Sequence, residues 1–308
     1  MLTDSVVCRN VRSETIELGT EPSRARGNKP EGREVRTDQP VLDLGPESFS
    51  RRQWLATMWA HRKVTLVLAR KDFHTRYKRA TLGVLWAVAV PVLQATVLVF
   101  VFSHFVHTAK GIPYGAYVLS GILAWSYFVQ TVPPAVSSIV DGTAMTDKVW
   151  FPRAILPLVP CLSGLVGLMI SMVILLIATP ILGAHFGIRV LLLIPACMLL
   201  VAFISSIAML ASALQVYFRD VRFIISALLL VWLYATPIMY PASEVGHLGP
   251  YLDFNPMTGI VTLFHIAILG PITPWHRAVA VSVGVTLVLI AAGIEVQRRY
   301  DRVLVDLL

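Results

Sequence analysis

Five cationic side chains, Arg70, Lys71, Arg76, Lys78 and Arg79, fall within ten positions, and then the charge stops. The next charged residue is Lys110, with thirty uncharged residues between. Basic groups stay on the cytoplasmic side of a membrane while an apolar run of about 20 residues crosses its hydrocarbon. The switch at Arg79 therefore reads as a water–membrane boundary. The other reactive side chains are scattered. No G-x-x-x-x-G-K-[ST] phosphate loop occurs, so the chain is not expected to hydrolyse ATP alone. H-E-x-x-H, G-x-S-x-G and C-x-x-C are missing too. Cys8, Cys161 and Cys197 lack metal-ligand spacing and suggest no disulfide framework. The eight histidines are dispersed, with His104, His107 and His265 read as structural. Asp72, Asp141, Asp147, Asp220 and Glu295 all lie at or beyond the ends of apolar runs. A midplane relay is thus not expected, which argues against proton coupling. No catalytic residue and no metal ligand is assigned. A lipid-modifying membrane transferase is the alternative from another class; it needs clustered His, Asp or Glu at a membrane face, and the sequence has no such cluster.

The elements behind these residues follow from composition. Hydrophobic residues make up 56% of the 308 positions and charged ones only 14%. Backbone groups in lipid must bond internally, so the expected fold is an all-α integral membrane protein. Apolar runs at 82–106, 114–140, 154–183, 190–216, 223–240 and 276–294 predict six transmembrane helices. Pro91, Pro133, Pro134, Pro157, Pro160, Pro180 and Pro195 mark kinks or ends within them. A seventh run, 257–269, is short for a span and suits a re-entrant segment. With six spans and cytoplasmic N- and C-termini, the inner segments between 51 and 302 hold 16 Lys and Arg; the outer ones hold only Lys110, Arg189 and Arg277. A seventh span would reverse the C-terminal arginines and break this asymmetry. Residues 51–71 predict an N-terminal amphipathic helix along the interface, with Trp54, Leu55, Met58 and Trp59 on one side. Residues 1–50 carry seven Lys/Arg and nine Asp/Glu and no apolar core of signal-peptide type. They are expected to be a disordered cytoplasmic tail, leaving 51–308 as the transmembrane domain.

Five stretches carry a family resemblance. "LARKDFHTRYKRATLGVLWAVAVPV" (68–92) resembles a basic R-D-x-x-x-R-Y run followed by L-G-x-L-W and Pro, matched by Arg70 or Lys71, Asp72, Arg76, Tyr77, Leu82, Gly83, Leu85, Trp86 and Pro91. "DKVWFPRAILPL" (147–158) resembles K-x-x-F-P-R-x-x-L-P. "VYFRDVRFI" (216–224), "YATPIMYP" (234–241) and "NPMTGI" (255–260) resemble R-D-V, T-P-x-x-Y and N-P elements. Together, in this order over about 51–300, they are similar to the permease subunits of ABC-2 type exporters for O-antigen, teichoic acid and related lipid-linked polysaccharides. The stretch before K-x-x-F-P-R, "DGTAMTD", departs from the family's Asn and hydrophobic pair.

The resemblance implies six spans, with short re-entrant helices between spans five and six. It implies a permease homodimer in the plasma (bacterial inner) membrane, served by two copies of a separate ABC ATPase subunit. That partner would hold ATP and Mg; no cofactor is expected in this chain, and no nucleic acid. The substrate would be a lipid-linked glycan taken from the cytoplasmic leaflet, with a lipid or drug as the alternative within transport. Coupling to the ATPase falls to Asp147, Lys148, Trp150 and Arg153, with Arg219 and Asp220 as a second inner contact or a local ion pair. The strip Arg70, Lys71, Arg76, Lys78 and Arg79 could meet the glycan's pyrophosphate through charge-assisted hydrogen bonds. Trp86, Tyr117, Trp125, Tyr127, Phe128, Trp232 and Tyr234 could line its path, because aromatic rings pack on the C–H faces of sugars. The competing reading of the same seven is an interfacial aromatic belt.

Overall fold

The structure is a computed structural model that describes residues 50–78, 81–103, 113–142, 151–185, 187–271 and 274–305. The expected tail therefore lies outside the described residues. Helix α1, Arg51–Ala60, starts at a capping box in which Ser50 and Gln53 satisfy each other's backbone N–H. Helix α2, Arg62–Tyr77, follows after His61. The four apolar side chains expected on one side of this segment divide: Trp54 is buried and Met58 half-buried, whereas Leu55 and Trp59 are exposed. The 3.6-residue period sets the reason, since positions 54 and 58 face α1's neighbours and 55 and 59 turn away. Trp54 packs with Ala154 and Met209.

A 3₁₀ turn, Gly83–Leu85, leads into α3, Trp86–Phe102. Gly83 has φ 53°, a left-handed conformation that a side chain disfavours, so glycine suits the turn before Leu85 and Trp86. Helix α4, Tyr114–Asp141, is central. At 1.5 Å per residue its 28 residues are about 42 Å long, and nineteen of them are buried. Its neighbours are α3, α5 (Leu158–Ile181), α6 (Leu193–Tyr217), α7 (Val221–Tyr234) and α9 (Pro256–Leu269). The four-residue α8, Gly249–Leu252, precedes α9, and α10, His276–Val305, closes the chain against α6 and α9.

Among the described residues, four helical stretches are long and apolar enough to cross a membrane: Gly83–Phe102, Arg153–Ile181, Ile188–Tyr217 and His276–Arg299. Helix α4 has the length but a milder composition, with Ser, Thr, Gln and Tyr along it. Protein surrounds it on most sides, so its side chains meet neighbouring helices more than lipid. Helix α7 departs from the expected run 223–240, ending at Tyr234 after 14 residues. That is about 21 Å, short of a 30 Å hydrocarbon layer. Pro237, which cannot continue the hydrogen-bond ladder, follows three residues later. Between α7 and α10 the chain forms a 3₁₀ segment, Ala242–Leu248, then α8 and α9. Helix α9 approaches α10 closely at Gly259, where a Cβ would run into the Ala278 carbonyl and the Ser282 hydroxyl. Only a glycine lets the two backbones come this near.

Candidate functional site

The basic segment is fastened to the helical body by its one carboxylate. Arg76 pairs with Asp72 at 3.1 Å, and the Ser163 hydroxyl of α5 donates to the same carboxylate. This bond holds α2 along the start of α5. Arg70, Lys71 and Lys78 remain exposed; Arg79 lies outside the described residues. Burial raises the Tyr77 phenol above its ordinary pKa, so it keeps its proton beside Arg76. Arg76 and Tyr77 stand at a small polar crevice of about 10 Å³, walled by Ser126, Tyr127, Gln130 and Thr131 of α4 and by Gly164 and Ser171 of α5.

The seven aromatic side chains part into an interior group and an outward pair. Phe128 is fully buried and takes edge-on contacts from Trp125 at 5.2 Å and Trp232 at 5.5 Å. Phe203 of α6 closes the cluster. Tyr127 is buried and donates to the Cys161 carbonyl at 2.7 Å. Tyr117 is buried, stacks on His265 at 3.9 Å and donates to the Pro237 and Tyr240 carbonyls. Trp86 and Tyr234 face outward, 47% and 65% exposed. Sequence reasoning grouped these seven by residue type; helix packing separates them.

Asn255 joins two of the motifs. Its Oδ1 accepts from the Trp232 indole N–H at 2.8 Å and caps α9 through the Met257 N–H at 3.0 Å. Its Nδ2 donates to the Ala235 carbonyl and to the Thr236 hydroxyl. The T-P turn after α7 and the N-P start of α9 are thus one hydrogen-bonded unit. Tyr114 of α4 adds a bond to the Met239 carbonyl at 2.7 Å. The sequence signal for the hub was Asn immediately before Pro, the pattern of an N-cap followed by proline at the first helical position.

Of the residues expected to couple to an ATPase, Asp147, Lys148 and Trp150 lie outside the described residues. Arg153 opens a 3₁₀ turn after Pro152. Phe151 is buried with Ile139, Ile155, Leu156 and Val159, so the F-P-R stretch is anchored by its phenylalanine. Arg219 and Asp220 are exposed, and among the described residues no ion pair joins them. Gln215 holds this turn instead: it donates to the Arg219 carbonyl at 2.9 Å and accepts from the Arg222 N–H at 2.8 Å. Sequence reasoning missed Gln215, and it missed the role of Glu295, which pairs with Arg51, Arg298 and Arg299 and ties α1 to α10. Charge alternation in the last helix was the available signal. Among the described residues, no three His, Cys, Asp or Glu side chains converge as a metal site.

Comparison with known proteins places these features in a family. Residues 63–269 match the model of the ABC-2 type transporter family. The chain is 28% identical over 252 residues to the O-antigen export system permease protein RfbA of Myxococcus xanthus, covering 79% of this chain and 95% of that protein. Two proteins of the same description from Klebsiella pneumoniae are 26% identical over 204 residues and 24% identical over 199; each match covers 64% of this chain and 76% of the relative.

Proposed function

The chain belongs to the ABC-2 type transporter family, and from that premise we propose that it is the membrane permease subunit of an ATP-driven exporter of an O-antigen-type polysaccharide. The observation that carries the reading is the likeness over 95% of the Myxococcus xanthus permease. Two permease copies pair around one path, and two ATPase subunits bind beneath. The permease crosses the inner membrane six times, with both termini in the cytoplasm. The bias of Lys and Arg toward the inner segments supports this orientation. Helix α4 supplies one span, and α7 with the Asn255-bonded turn supplies another, its shortness made up by the non-helical backbone that Asn255, Tyr114 and Tyr117 satisfy.

The glycan enters as a lipid-linked chain from the cytoplasmic leaflet. Arg70, Lys71, Lys78 and Arg79 attract its pyrophosphate, while Arg76 is held by Asp72 at the polar crevice. Trp86 and Tyr234 offer ring faces to sugar from the outside of a single protomer, where a second copy could complete the path. Trp125, Tyr127, Phe128 and Trp232 shape that wall from behind, and Tyr117 sets the turn over it. The 147–153 segment, with Arg219 and Asp220, transmits the ATPase's motion to α5 and α6.

The test is complementation. A bacterium deleted for its own O-antigen permease receives this chain together with its cognate ATPase. Surface glycan is expected to return, and to fail when the ATPase's nucleotide site is disabled. Return of surface glycan without a working ATPase, or export of a lipid or drug with no glycan, refutes the reading.

A further inference from the structure

The α8 turn and the start of α10 bring aromatic and charged side chains into one neighbourhood. Tyr251 and Phe254 are 71% and 58% exposed. The Arg277 guanidinium lies 4.6 Å from the centre of the Phe254 ring. It covers one face of that ring, yet the side chain stays more than half exposed. Asp253 stands between the two aromatic residues, and among the described residues neither it nor Arg277 forms an ion pair. Trp275 is half-buried and stacks on the exposed His276 at 3.9 Å. The two segments are held in fixed relation. Phe254 directly precedes Asn255, whose side chain bonds Trp232, Ala235, Thr236 and Met257. The Ser282 hydroxyl of α10 donates to the Pro256 carbonyl, close to the tight approach at Gly259. His276 opens the apolar stretch His276–Arg299. The set therefore stands at a membrane boundary, the outer one in the six-span arrangement proposed above.

We propose that Tyr251, Phe254 and Trp275, with Asp253 and Arg277, form a saccharide-binding platform that receives the glycan as it leaves the membrane. The proposal rests on the reading of this chain as a glycan exporter and adds a place where the sugar chain is held on the far side. None of these residues is among the seven aromatic side chains considered above. Pyranose rings present C–H faces that pack on aromatic rings. Their paired hydroxyls suit a carboxylate, which accepts two bonds, and a guanidinium, which donates two. Arg277 stacked on Phe254, instead of paired with Asp253, leaves both charged groups open to such hydroxyls. The rings are presented from a backbone that the Asn255 and Ser282 bonds already order, so little freedom is lost on binding. Stacking also tolerates a change of sugar, which lets a polymer advance over the platform. A lipid anchor is a poorer fit. Interfacial anchors are built from Trp and Tyr, whereas here a phenylalanine carries a guanidinium and a carboxylate beside it would repel headgroup phosphates.

The experiment uses the full chain with its cognate ATPase in a bacterium deleted for its own O-antigen permease. A benzophenone amino acid replaces Tyr251 or Phe254, and the cells are irradiated while they export glycan labelled with radioactive glucose. Both positions are expected to take a ladder of glycan adducts, which disappears when the ATPase's nucleotide site is disabled. The same group at Leu287, exposed on the membrane-spanning part of α10, should take none. A second comparison needs no crosslinker. Tyr251→Phe with Phe254→Tyr keeps both rings and should retain surface glycan. Tyr251→Leu with Phe254→Leu keeps the apolar character without the rings and should lose most of it, while the purified chain unfolds at the same temperature. Restored surface glycan with adducts at 251 and 254 that are only a single phospholipid mass, or only a second copy of the chain, overturns the proposal. So does equal surface glycan from the ring-keeping and the leucine variants. These outcomes leave the exporter reading standing. Surface glycan that never returns with the unmodified chain defeats that reading, and the platform with it.

Discussion

At the scale of single residues, Asn255 has the most to lose. All of its side-chain hydrogen-bonding groups are used, on Trp232, Met257, Ala235 and Thr236. Asn255→Ala removes a helix cap and strands a partly buried indole N–H. The expected cost is about 2–4 kcal/mol, read as a lower unfolding temperature of the detergent-purified chain. Asn255→Asp keeps the cap and the indole bond while losing both donated bonds, so its fall should be smaller. The aromatic set supports a second comparison. Phe128→Ala empties a fully buried site and should cost about 3–5 kcal/mol. Trp86→Ala and Tyr234→Ala remove exposed rings and should leave stability nearly unchanged. If these two face the glycan, surface glycan falls in cells while the purified protein unfolds at the same temperature as before. Normal export by the Trp86→Ala/Tyr234→Ala variant would remove them from the path.

At the scale of elements, the segment before Phe151 is the part proposed to couple to a separate ATPase subunit. Phe151 anchors it in a small apolar cluster with Ile139, Ile155, Leu156 and Val159. The position of Phe151 relative to α4 and α5 is thereby set from the protein's own interior. Lys148 and Trp150 precede that anchor in the sequence and lie outside the described residues. Lys148→Ala with Trp150→Ala should leave the chain inserted and folded but weaken ATPase docking. Truncating an interfacial anchor costs about 2 kcal/mol, roughly 30-fold in affinity. Co-purification with the ATPase measures it, and a double variant that co-purifies and exports normally removes the coupling role. The turn between α6 and α7 is held by Gln215. Its stiffness comes from side chain-to-backbone bonds, with no contribution from an Arg219–Asp220 pair.

At the scale of the whole molecule, the described residues form two largely buried helices, α4 and α9, packed among others whose outer surfaces are apolar. Leu93, Val97 and Phe100 on α3, Phe223, Leu228 and Val231 on α7, and Leu287 and Val288 on α10 are all exposed. Lipid or a second copy of the chain is what such faces need, because water would not tolerate them. The six-span arrangement is checked by single cysteines in a chain otherwise free of them. Tyr251→Cys should react with a membrane-impermeant maleimide in spheroplasts, and Met145→Cys only after permeabilisation. Labelling of position 145 in intact spheroplasts would reverse the orientation assigned here.

Composition alone sufficed for the class of this protein, because a bilayer leaves few ways to satisfy a backbone. The positions of the long helices followed from the same cause: the runs 154–183 and 190–216 became Arg153–Ile181 and Ile188–Tyr217. The motifs were legible as well, since Gly83 and the Asn255–Pro256 pair mark a left-handed turn and a capped helix start. Other properties depended on the packing of distant segments. Whether an aromatic lies inside or outside was one of them: Phe128 and Trp86 both stand in apolar runs, and only the neighbours of α4 bury the first. The division of Trp54 from Leu55 and Trp59 was another, decided by where α1 meets Ala154 and Met209. The bonds from Asn255 to α7 and the turn after it, the Arg51–Glu295 ion pair and the end of α7 at Tyr234 likewise needed partners 19 to 244 positions away or a local proline to be weighed against hydropathy. A one-dimensional pattern records how much each residue avoids water. It does not record which residue stands opposite, and hydrogen bonds and burial depend on that second fact.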